Sequence, residues 1–136
     1  MDVTKDILIV DDDAINQFLC ERLMRSMGFA GKIYQAFNGS EALSMLKNYC
    51  NGIIEKLDVI LLDLHMPVMD GFQFLEAFHA LDCQAKSNIA IAFVSSSDDP
   101  GDVKRARLLG VNRFYNKPLL PEYVKAILQH NSKTPL

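Results

Sequence analysis

Short apolar runs alternate along the chain with longer stretches in which apolar residues recur every three or four positions. Short β-branched runs bounded by polar residues are typical of buried strands, and the three-to-four spacing is typical of helices. The pattern therefore predicts five strands, each followed by a helix. The strands are predicted over residues 7–10, 33–37, 59–62, 89–94 and 111–116.

Ordinary start and stop residues delimit the predicted helices. They are expected over residues 13–27, from 38–40 toward 50, over 72–81, from 98–100 to 110, and from 121 to about 129. Asp13 is expected to cap the first helix, and Gly28 and Gly110 are typical helix stops. The phenylalanines at 72, 74 and 78 are expected in the core, and residues 131–136 as a frayed tail.

Strict alternation of strands and helices predicts an α/β fold with a parallel sheet covered by helices on both faces. The first, third and fourth strands are continuously apolar, as is usual for strands buried on both faces. The second and fifth contain polar residues, among them Gln35 and Arg113, which suits sheet edges. The predicted strand order is therefore 2-1-3-4-5, the flavodoxin-like doubly wound order, with five helices.

Length, charge and cysteine content narrow the class of protein. A chain of 136 residues fits a single domain, expected over residues 1–136 with its core at about 5–130. A net charge of −3 argues against a nucleic-acid partner, and the chain has neither a signal-peptide pattern nor a membrane-length apolar run. We therefore expect a cytoplasmic protein, whose three separated cysteines are predicted to be free thiols in a reducing compartment.

Polar and charged residues follow the predicted strands at the edge where such folds bind ligands. Asp11 and Asp12 follow the first strand, Asp63 the third, Ser95 the fourth, and Lys117 the fifth. Two carboxylates about 4 Å apart repel by about 4 kcal/mol at an effective dielectric constant near 20, so a proton or a cation must compensate. An oxygen-only site with few protein ligands suits Mg²⁺, or Mn²⁺ in its place, better than calcium or zinc.

Lys117 and Ser95 leave two interpretations open. The lysine can be a plain ion-pair partner of the acids. A cation, a lysine and a hydroxyl around one aspartate can also hold a phosphoryl group, because phosphoryl transfer depends mainly on positioning and charge neutralisation. Asp63 lies centrally and is the natural candidate for a nucleophile that forms an aspartyl-phosphate.

Four stretches of the sequence carry a family resemblance that covers essentially the whole chain. They are ILIVDDDAIN at 7–16, DVILLDLHMPVMDGFQFL at 58–75, IAFVSSS at 91–97 and FYNKPL at 114–119. In order, each at a strand end, they resemble the receiver domain of two-component response regulators, the CheY-like family. LLDLHMPVMDG is close to diagnostic on its own.

The resemblance implies roles for the residues around the predicted metal site. Asp63 would be the phosphoacceptor. Asp12 would bind Mg²⁺ directly, Asp11 would assist through water, and the backbone carbonyl of His65 would complete the protein's ligands. His65 and Ser97 match variable positions that tune the lifetime of the phosphorylated state.

The resemblance also implies a switch. Ser95 matches the switch hydroxyl, Phe114 the switch aromatic, and Lys117 the active-site lysine, followed by a cis peptide bond at Pro118. The changed surface would be that of the fourth helix, fifth strand and fifth helix. The segment at 46–56 is several residues longer than in compact relatives, which implies a lengthened second helix or loop away from Asp63. The surfaces that select partners in relatives include Asn16, Gln17 and Leu119-Leu120 here.

The implied partners are a sensor histidine kinase or a histidine phosphotransfer protein, and downstream a protein target, with no direct contact to nucleic acid or membrane. No output domain is expected, and the implied function is signalling with slow self-dephosphorylation rather than enzymatic turnover. A receiver that binds partners without phosphorylation is the alternative. A dehalogenase-like phosphatase is disfavoured because Asp63 follows the third strand and no cap segment is present. A nucleotide-binding module is disfavoured by the absence of glycine-rich phosphate-binding motifs.

Overall fold

The computed structural model describes residues 4–129, in which five parallel strands alternate with five α-helices. The strands are β1 (Ile7–Val10), β2 (Ile33–Ala36), β3 (Val59–Leu62), β4 (Ala90–Ser95) and β5 (Phe114–Asn116). The helices are α1 (Ala14–Ser26), α2 (Gly39–Cys50), α3 (Gly71–Ala80), α4 (Pro100–Leu108) and α5 (Pro121–Gln129). The sheet has the predicted order β2-β1-β3-β4-β5. The predicted tail at 131–136 lies outside the described residues.

Polar side chains fix several helix starts at the predicted residues. The Asp13 carboxylate accepts hydrogen bonds from the backbone N–H groups of Ile15 at 2.9 Å and Asn16 at 3.3 Å. The side-chain oxygen of Asn38 accepts a hydrogen bond from the backbone N–H of Glu41 at 2.8 Å. Both side chains satisfy amides that have no partner within their helix, so the predicted cap at Asp13 and the predicted helix start at 38–40 are confirmed.

Two local features differ from the prediction. The fifth strand is shorter than residues 111–116, because the N–H of Val111 closes the end of α4 by donating to the carbonyl of Ala106 at 3.0 Å. A short 3₁₀ helix, Gln84–Asn88, precedes β4 and has no apolar periodicity that could have revealed it. Within the segment at 46–56, residues 46–50 end α2 and a turn follows from Asn51.

Alternate residues of the central strands enter two separate cores. Leu8, Val10 and Leu62 pack with α2, α3 and the buried Ala106 of α4, while Ile7 and Leu61 pack with α1 and α5. The three phenylalanines of α3 are buried in the first core, as predicted. Burial on both faces explains why the central strands are continuously apolar.

The prediction of three free thiols is wrong for two of them. Cys50 and Cys83 form a disulfide with their Cα atoms 5.9 Å apart, and Cys20 is a buried free cysteine. The two cysteines are 33 positions apart, and only the packing of α2 beside the segment after α3 brings them together. The sequence has no local signal for such a pair.

No helix within residues 4–129 is long and apolar enough to cross a membrane.

Candidate functional site

Three acidic side chains converge where β1 and β3 end. Val10 pairs with Leu62, and the N–H of Asp63 donates to the carbonyl of Val10 at 2.9 Å, so Asp11 and Asp63 leave the sheet side by side. One carboxylate oxygen from each of Asp11, Asp12 and Asp63 lies within 4.8 Å of the others. Asp11 and Asp63 are buried and Asp12 is exposed, so the cluster is open to solvent on one side.

Lys117 reaches this cluster from the loop after β5. Its Nζ lies 2.8 Å from Asp11 Oδ2 and 3.0 Å from Asp63 Oδ2. The backbone N–H of Lys117 donates to the carbonyl of Ser95 at 2.9 Å, and the Lys117-Pro118 peptide bond is cis, as the resemblance implied. Three carboxylates facing one ammonium leave two formal negative charges, which a divalent cation would balance.

The protonation equilibria reflect this charge distribution. Burial raises the pKa of the Asp63 carboxyl, and Lys117 offsets only part of that effect. Burial alone would lower the pKa of Lys117, but hydrogen bonds and charges from Asp11 and Asp63 raise it instead. A buried carboxylate whose charge is only partly neutralised favours a bound cation. The all-oxygen donor set fits Mg²⁺.

A glycine allows the loop after β3 to pack against the acidic cluster. The N–H of Gly71 donates to the carbonyl of Leu64 at 2.9 Å. A Cβ at position 71 would lie 2.4 Å from the backbone oxygen of Asp63, so only glycine fits there without moving Asp63. In the same loop Val68 has φ of 72°, a left-handed conformation that is strained for a β-branched residue.

A hydrogen-bonded chain of side chains joins the loops after β3 and β4 to α4. The fully buried hydroxyl oxygen of Ser95 accepts from the N–H of Ser97 at 3.1 Å. The Ser97 hydroxyl donates to Asp102 Oδ2 at 2.7 Å, and His65 Nε2 lies 3.2 Å from the same oxygen. The Ser97 hydrogen bond, with a smaller contribution from His65, lowers the pKa of Asp102.

Phe114 lies one strand away from Ser95. Phe93 pairs with Phe114, and Ser95 pairs with Asn116, so the hydroxyl and the aromatic ring stand on adjacent strands, two residues apart in register. The half-buried Phe114 ring packs against Phe93 with 5.9 Å between ring centroids. The structure thus places Asp11, Asp12, Asp63, Ser95 and Lys117 where their strands end, whereas Phe114 begins β5.

The comparisons with known proteins agree with this arrangement. The chain matches the response regulator receiver domain family over residues 7–129. It belongs to that family. Receiver domains are signalling domains rather than enzymes in the usual sense, and Asp63 is the candidate phosphorylation site of this one.

The relatives include both short regulators and much longer proteins. Two-component response regulator 24 of Arabidopsis thaliana is 31% identical over 121 residues, covering 89% of this chain and 79% of the relative. The sensor histidine kinase CheAY of Helicobacter pylori is 28% identical, but the match covers 93% of this chain and only 15% of the kinase. Receiver domains therefore also occur within far larger proteins.

Solved structures share the fold. CheY of Borrelia burgdorferi, in a complex with CheX, BeF₃ and Mg²⁺, is 27% identical with a TM-score of 0.74, covering 91% of this chain and 86% of that one. A two-component response regulator from Cytophaga hutchinsonii is 25% identical with a TM-score of 0.81, covering 91% and 93%.

Two α1 residues of this receiver domain donate hydrogen bonds to groups at the site. Asn16 Nδ2 donates to Asp11 Oδ2 at 2.5 Å. The Gln17 side chain is 1% exposed, and its amide nitrogen donates to the carbonyls of Ile9, Asp11 and Ala36 at 2.9, 3.2 and 2.9 Å. Sequence reasoning had placed both residues, with Leu119, on partner-selecting surfaces. Gln17 and Leu119 are buried, so for them that interpretation is wrong.

The outward face of α1 is apolar. Ile15, Phe18 and Leu19 are 72%, 50% and 57% exposed, and the Arg22 guanidinium lies 6.0 Å from the Phe18 ring centroid. The opposite face buries Cys20 and Met24 in the core. Sequence periodicity alone would have placed the first three in the core, because α1 has apolar residues on both faces. Asp102 was also missed, since its role depends on two loops meeting at α4.

Proposed function

We propose that this receiver domain accepts a phosphoryl group from a phosphohistidine partner onto Asp63 in a Mg²⁺-dependent reaction. The observation that carries the proposal is the Asp63 carboxylate, 7% exposed and 3.0 Å from Lys117, within a cluster of three acids. An isolated cluster of that charge would be unfavourable, whereas a bound cation would balance the carboxylates and then neutralise a phosphoryl group on Asp63.

The metal would be held by Asp12, Asp63 and the backbone carbonyl of His65. The oxygens of Asp11 already accept hydrogen bonds from Lys117, Asn16 and the N–H of Asp13, which suits an indirect role through water. Mg²⁺, or Mn²⁺ in its place, would neutralise negative charge on the phosphoryl oxygens. The Borrelia CheY structure, which contains both BeF₃ and Mg²⁺, supports this assignment by similarity.

In the transfer step an Asp63 carboxylate oxygen forms a bond to phosphorus as the phosphorus–nitrogen bond of the donor histidine breaks. The imidazole leaves with the bonding electron pair, and a proton neutralises it. Lys117 neutralises a phosphoryl oxygen, and the Ser95 hydroxyl donates a hydrogen bond to another. Hydrolysis of the acyl phosphate by water would later return Asp63 to its free form.

The response to phosphorylation would pass from Ser95 to Phe114. Ser95 would turn toward the phosphoryl group, and the half-buried ring of Phe114 would move inward against the core. The changed surface is that of α4, β5 and α5, where a downstream protein target would bind. His65 lies two residues after Asp63 and Ser97 two residues after Ser95, and the two side chains share a contact with Asp102, which supports their assignment as residues that tune the lifetime of the phosphorylated state.

The phosphodonor would be a sensor histidine kinase or a histidine phosphotransfer protein. The exposed apolar face of α1 is formed by Ile15, Phe18 and Leu19 and lies next to the acidic cluster. This face offers the phosphodonor a docking surface. We place the domain in the cytoplasm, with protein partners rather than nucleic acid or membrane. The net charge of −3 argues against a nucleic-acid partner.

The test is the intact mass of the protein after incubation with acetyl phosphate, with and without Mg²⁺. We expect a Mg²⁺-dependent gain of one phosphoryl group in the wild type and in Asp58→Asn, an acid at the other end of the sheet. Asp63→Asn should gain nothing. An equal gain in Asp63→Asn would falsify the assignment of the acceptor. No gain in the wild type, even from a phosphorylated histidine phosphotransfer protein, would favour a phosphorylation-independent binding domain.

A further inference from the structure

The Cys50–Cys83 disulfide lies away from the phosphorylation site and has no part in the proposed transfer. Cys50 is the last residue of α2, and Cys83 lies three residues after the end of α3. Both therefore lie toward the amino-terminal end of the strands, opposite Asp63. Their Cα separation of 5.9 Å is within the ordinary range for a cross-link between native backbones.

Other contacts hold the same two segments together. The Tyr49 hydroxyl donates to the carbonyl of Ala85 at 3.0 Å, which joins the end of α2 to the 3₁₀ helix. Lys86 Nζ donates to the carbonyls of Phe78, His79 and Leu81 at 2.7, 3.0 and 2.6 Å, which fixes the 3₁₀ helix to the end of α3. The two sulfur atoms would therefore stay close without the bond between them, at a high effective concentration.

The three cysteines differ in access to solvent. Cys50 and Cys83 are half-buried, and Cys83 lines a surface hollow along the 3₁₀ helix. Cys20 is 5% exposed, and burial, aided by the charge of Asp11, raises its pKa to about 11. Because the thiolate is the reactive form, Cys20 is an unreactive control within the same chain.

We propose that Cys50 and Cys83 form a reversible thiol–disulfide pair that exchanges with small-molecule disulfides of the oxidised-glutathione class. In oxidation, one cysteine thiolate attacks the disulfide and forms a mixed disulfide, releasing the first glutathione thiolate, which takes up a proton. The second cysteine, as a thiolate, attacks the mixed disulfide, forms the Cys50–Cys83 bond and releases the second glutathione. The protein loses two electrons and two protons, and the oxidant gains them.

The cross-link would act on the segment that contains the phosphoacceptor. The closed loop includes all of β3 and α3, and therefore Asp63. Oxidation would restrict the unfolded chain and so raise the melting temperature, while the contacts of Tyr49 and Lys86 would keep the reduced protein folded. The inference concerns the opposite end of the sheet from the phosphorylation site and does not depend on phosphorylation.

The test equilibrates the full chain in buffers that range from excess reduced to excess oxidised glutathione, starting from each form. Free thiols are then alkylated in acid-quenched, unfolded protein and counted by peptide mass spectrometry. We expect Cys50 and Cys83 to pass together from alkylated to cross-linked, with the same midpoint from both directions. Cys20 should be alkylated throughout, and Cys20→Ser should leave the midpoint unchanged. Circular dichroism should show both end states folded.

Several outcomes would overturn the proposal. The cysteines could stay thiols even in excess oxidised glutathione, or the bond could persist in the folded protein at every excess of reduced glutathione. A reduced form that is unfolded would also contradict it, because the pair would then be a fixed structural disulfide. In Cys50→Ser, Cys83 should collect a single glutathione under oxidising conditions, and an unreactive Cys83 there would contradict its proposed access.

Discussion

The two ends of the sheet differ in how the negative charge of their acidic side chains is compensated. At the carboxyl end, Asp11, Asp12 and Asp63 face one lysine, and burial raises the pKa of Asp63. At the amino end, Asp6 Oδ1 accepts from the N–H of Lys32 at 3.0 Å. The amino-end acids lie apart and accept from separate donors, whereas the three clustered carboxylates at the carboxyl end share one lysine and leave negative charge for a ligand to balance.

Further features follow the same division. Asp58 Oδ2 accepts from the N–H of Asp6 at 2.8 Å and lies 2.7 Å from Lys56 Nζ, and the disulfide and the Lys86 contacts lie toward the same end. The strained Val68 and the exposed apolar face of α1 lie toward the carboxyl end. The difference shows that contacts at the amino end of the sheet stabilise the fold, whereas the carboxyl end has lower stability in exchange for binding and chemistry.

The largest effect on stability is expected when the Cys50–Cys83 cross-link is removed. Replacing Cys50 and Cys83 with serine should lower the free energy of unfolding by about 3 to 4 kcal/mol, because the unfolded chain regains the entropy of the closed loop. That corresponds to a fall in melting temperature of about 10 °C. Thermal and urea unfolding measure the change, with Cys20→Ser as a control for loss of a thiol. Phosphorylation of Asp63 below the melting temperature should be unchanged, and its loss would contradict the division of roles.

Neutralising one acid at each end should have opposite effects. Asp63→Asn should raise the free energy of unfolding in Mg²⁺-free buffer at neutral pH by about 1 kcal/mol, since burial disfavours the charged form. Asp58→Asn should lower it by about 0.5 to 1 kcal/mol, because the charged interaction with Lys56 is lost. Urea unfolding of both variants measures the two values. Effects of the same sign would break the comparison.

The pH dependence of Asp63→Asn sharpens the same point. The folded chain binds a proton on Asp63 more tightly than the unfolded chain, because burial raises the pKa of that carboxyl. Raising the pH from the ordinary aspartate pKa through the higher pKa of folded Asp63 should therefore lower the contribution of this group to stability. Asp63→Asn should abolish that decline, and saturating Mg²⁺ should oppose it in the wild type. A decline that is unchanged in Asp63→Asn would assign it to another group.

A smaller effect is expected at Asp102, which joins the loops after β3 and β4. Asp102→Ala removes the acceptor shared by Ser97 and His65, so both loops should loosen and admit water to phosphorylated Asp63. The phosphorylated state should lose its phosphoryl group about 2 to 5 times faster, which corresponds to about 0.5 to 1 kcal/mol. Loss of the phosphoprotein after removal of the donor measures the rate. Asp98→Ala, at an exposed position of the same loop, should leave it unchanged.

The smallest expected effect is at Val68. Val68→Gly should raise the free energy of unfolding by about 0.5 to 1 kcal/mol, because glycine adopts a positive φ without the steric cost that valine incurs. Ile53→Gly is the matched control, since Ile53 is also exposed and β-branched but has no positive φ. That control should lose stability through greater freedom of the unfolded chain. Equal losses in both variants would show that the Val68 loop holds no strain.

Much of this molecule could be predicted because its signals are local. The apolar runs predicted β1, β3 and β4 as central strands, and the polar Gln35 and Arg113 placed β2 and β5 at the edges, as the structure confirms. The capping role of Asp13 depends on residues two and three positions away. The acidic cluster could be predicted as well, because parallel strands end at the same edge and bring Asp11 and Asp63 together.

Other features depend on contacts between distant segments. The sequence determined the strand order and the convergence of the acidic side chains, because periodicity and strand-end polarity are properties of a few neighbouring residues. Only the tertiary structure decided which face of α1 is exposed, that Gln17 is buried against three carbonyls, and that Asp102 joins two loops. It alone paired Cys50 with Cys83, because residues 33 positions apart meet only when α2 and the segment after α3 pack on the same face of the sheet.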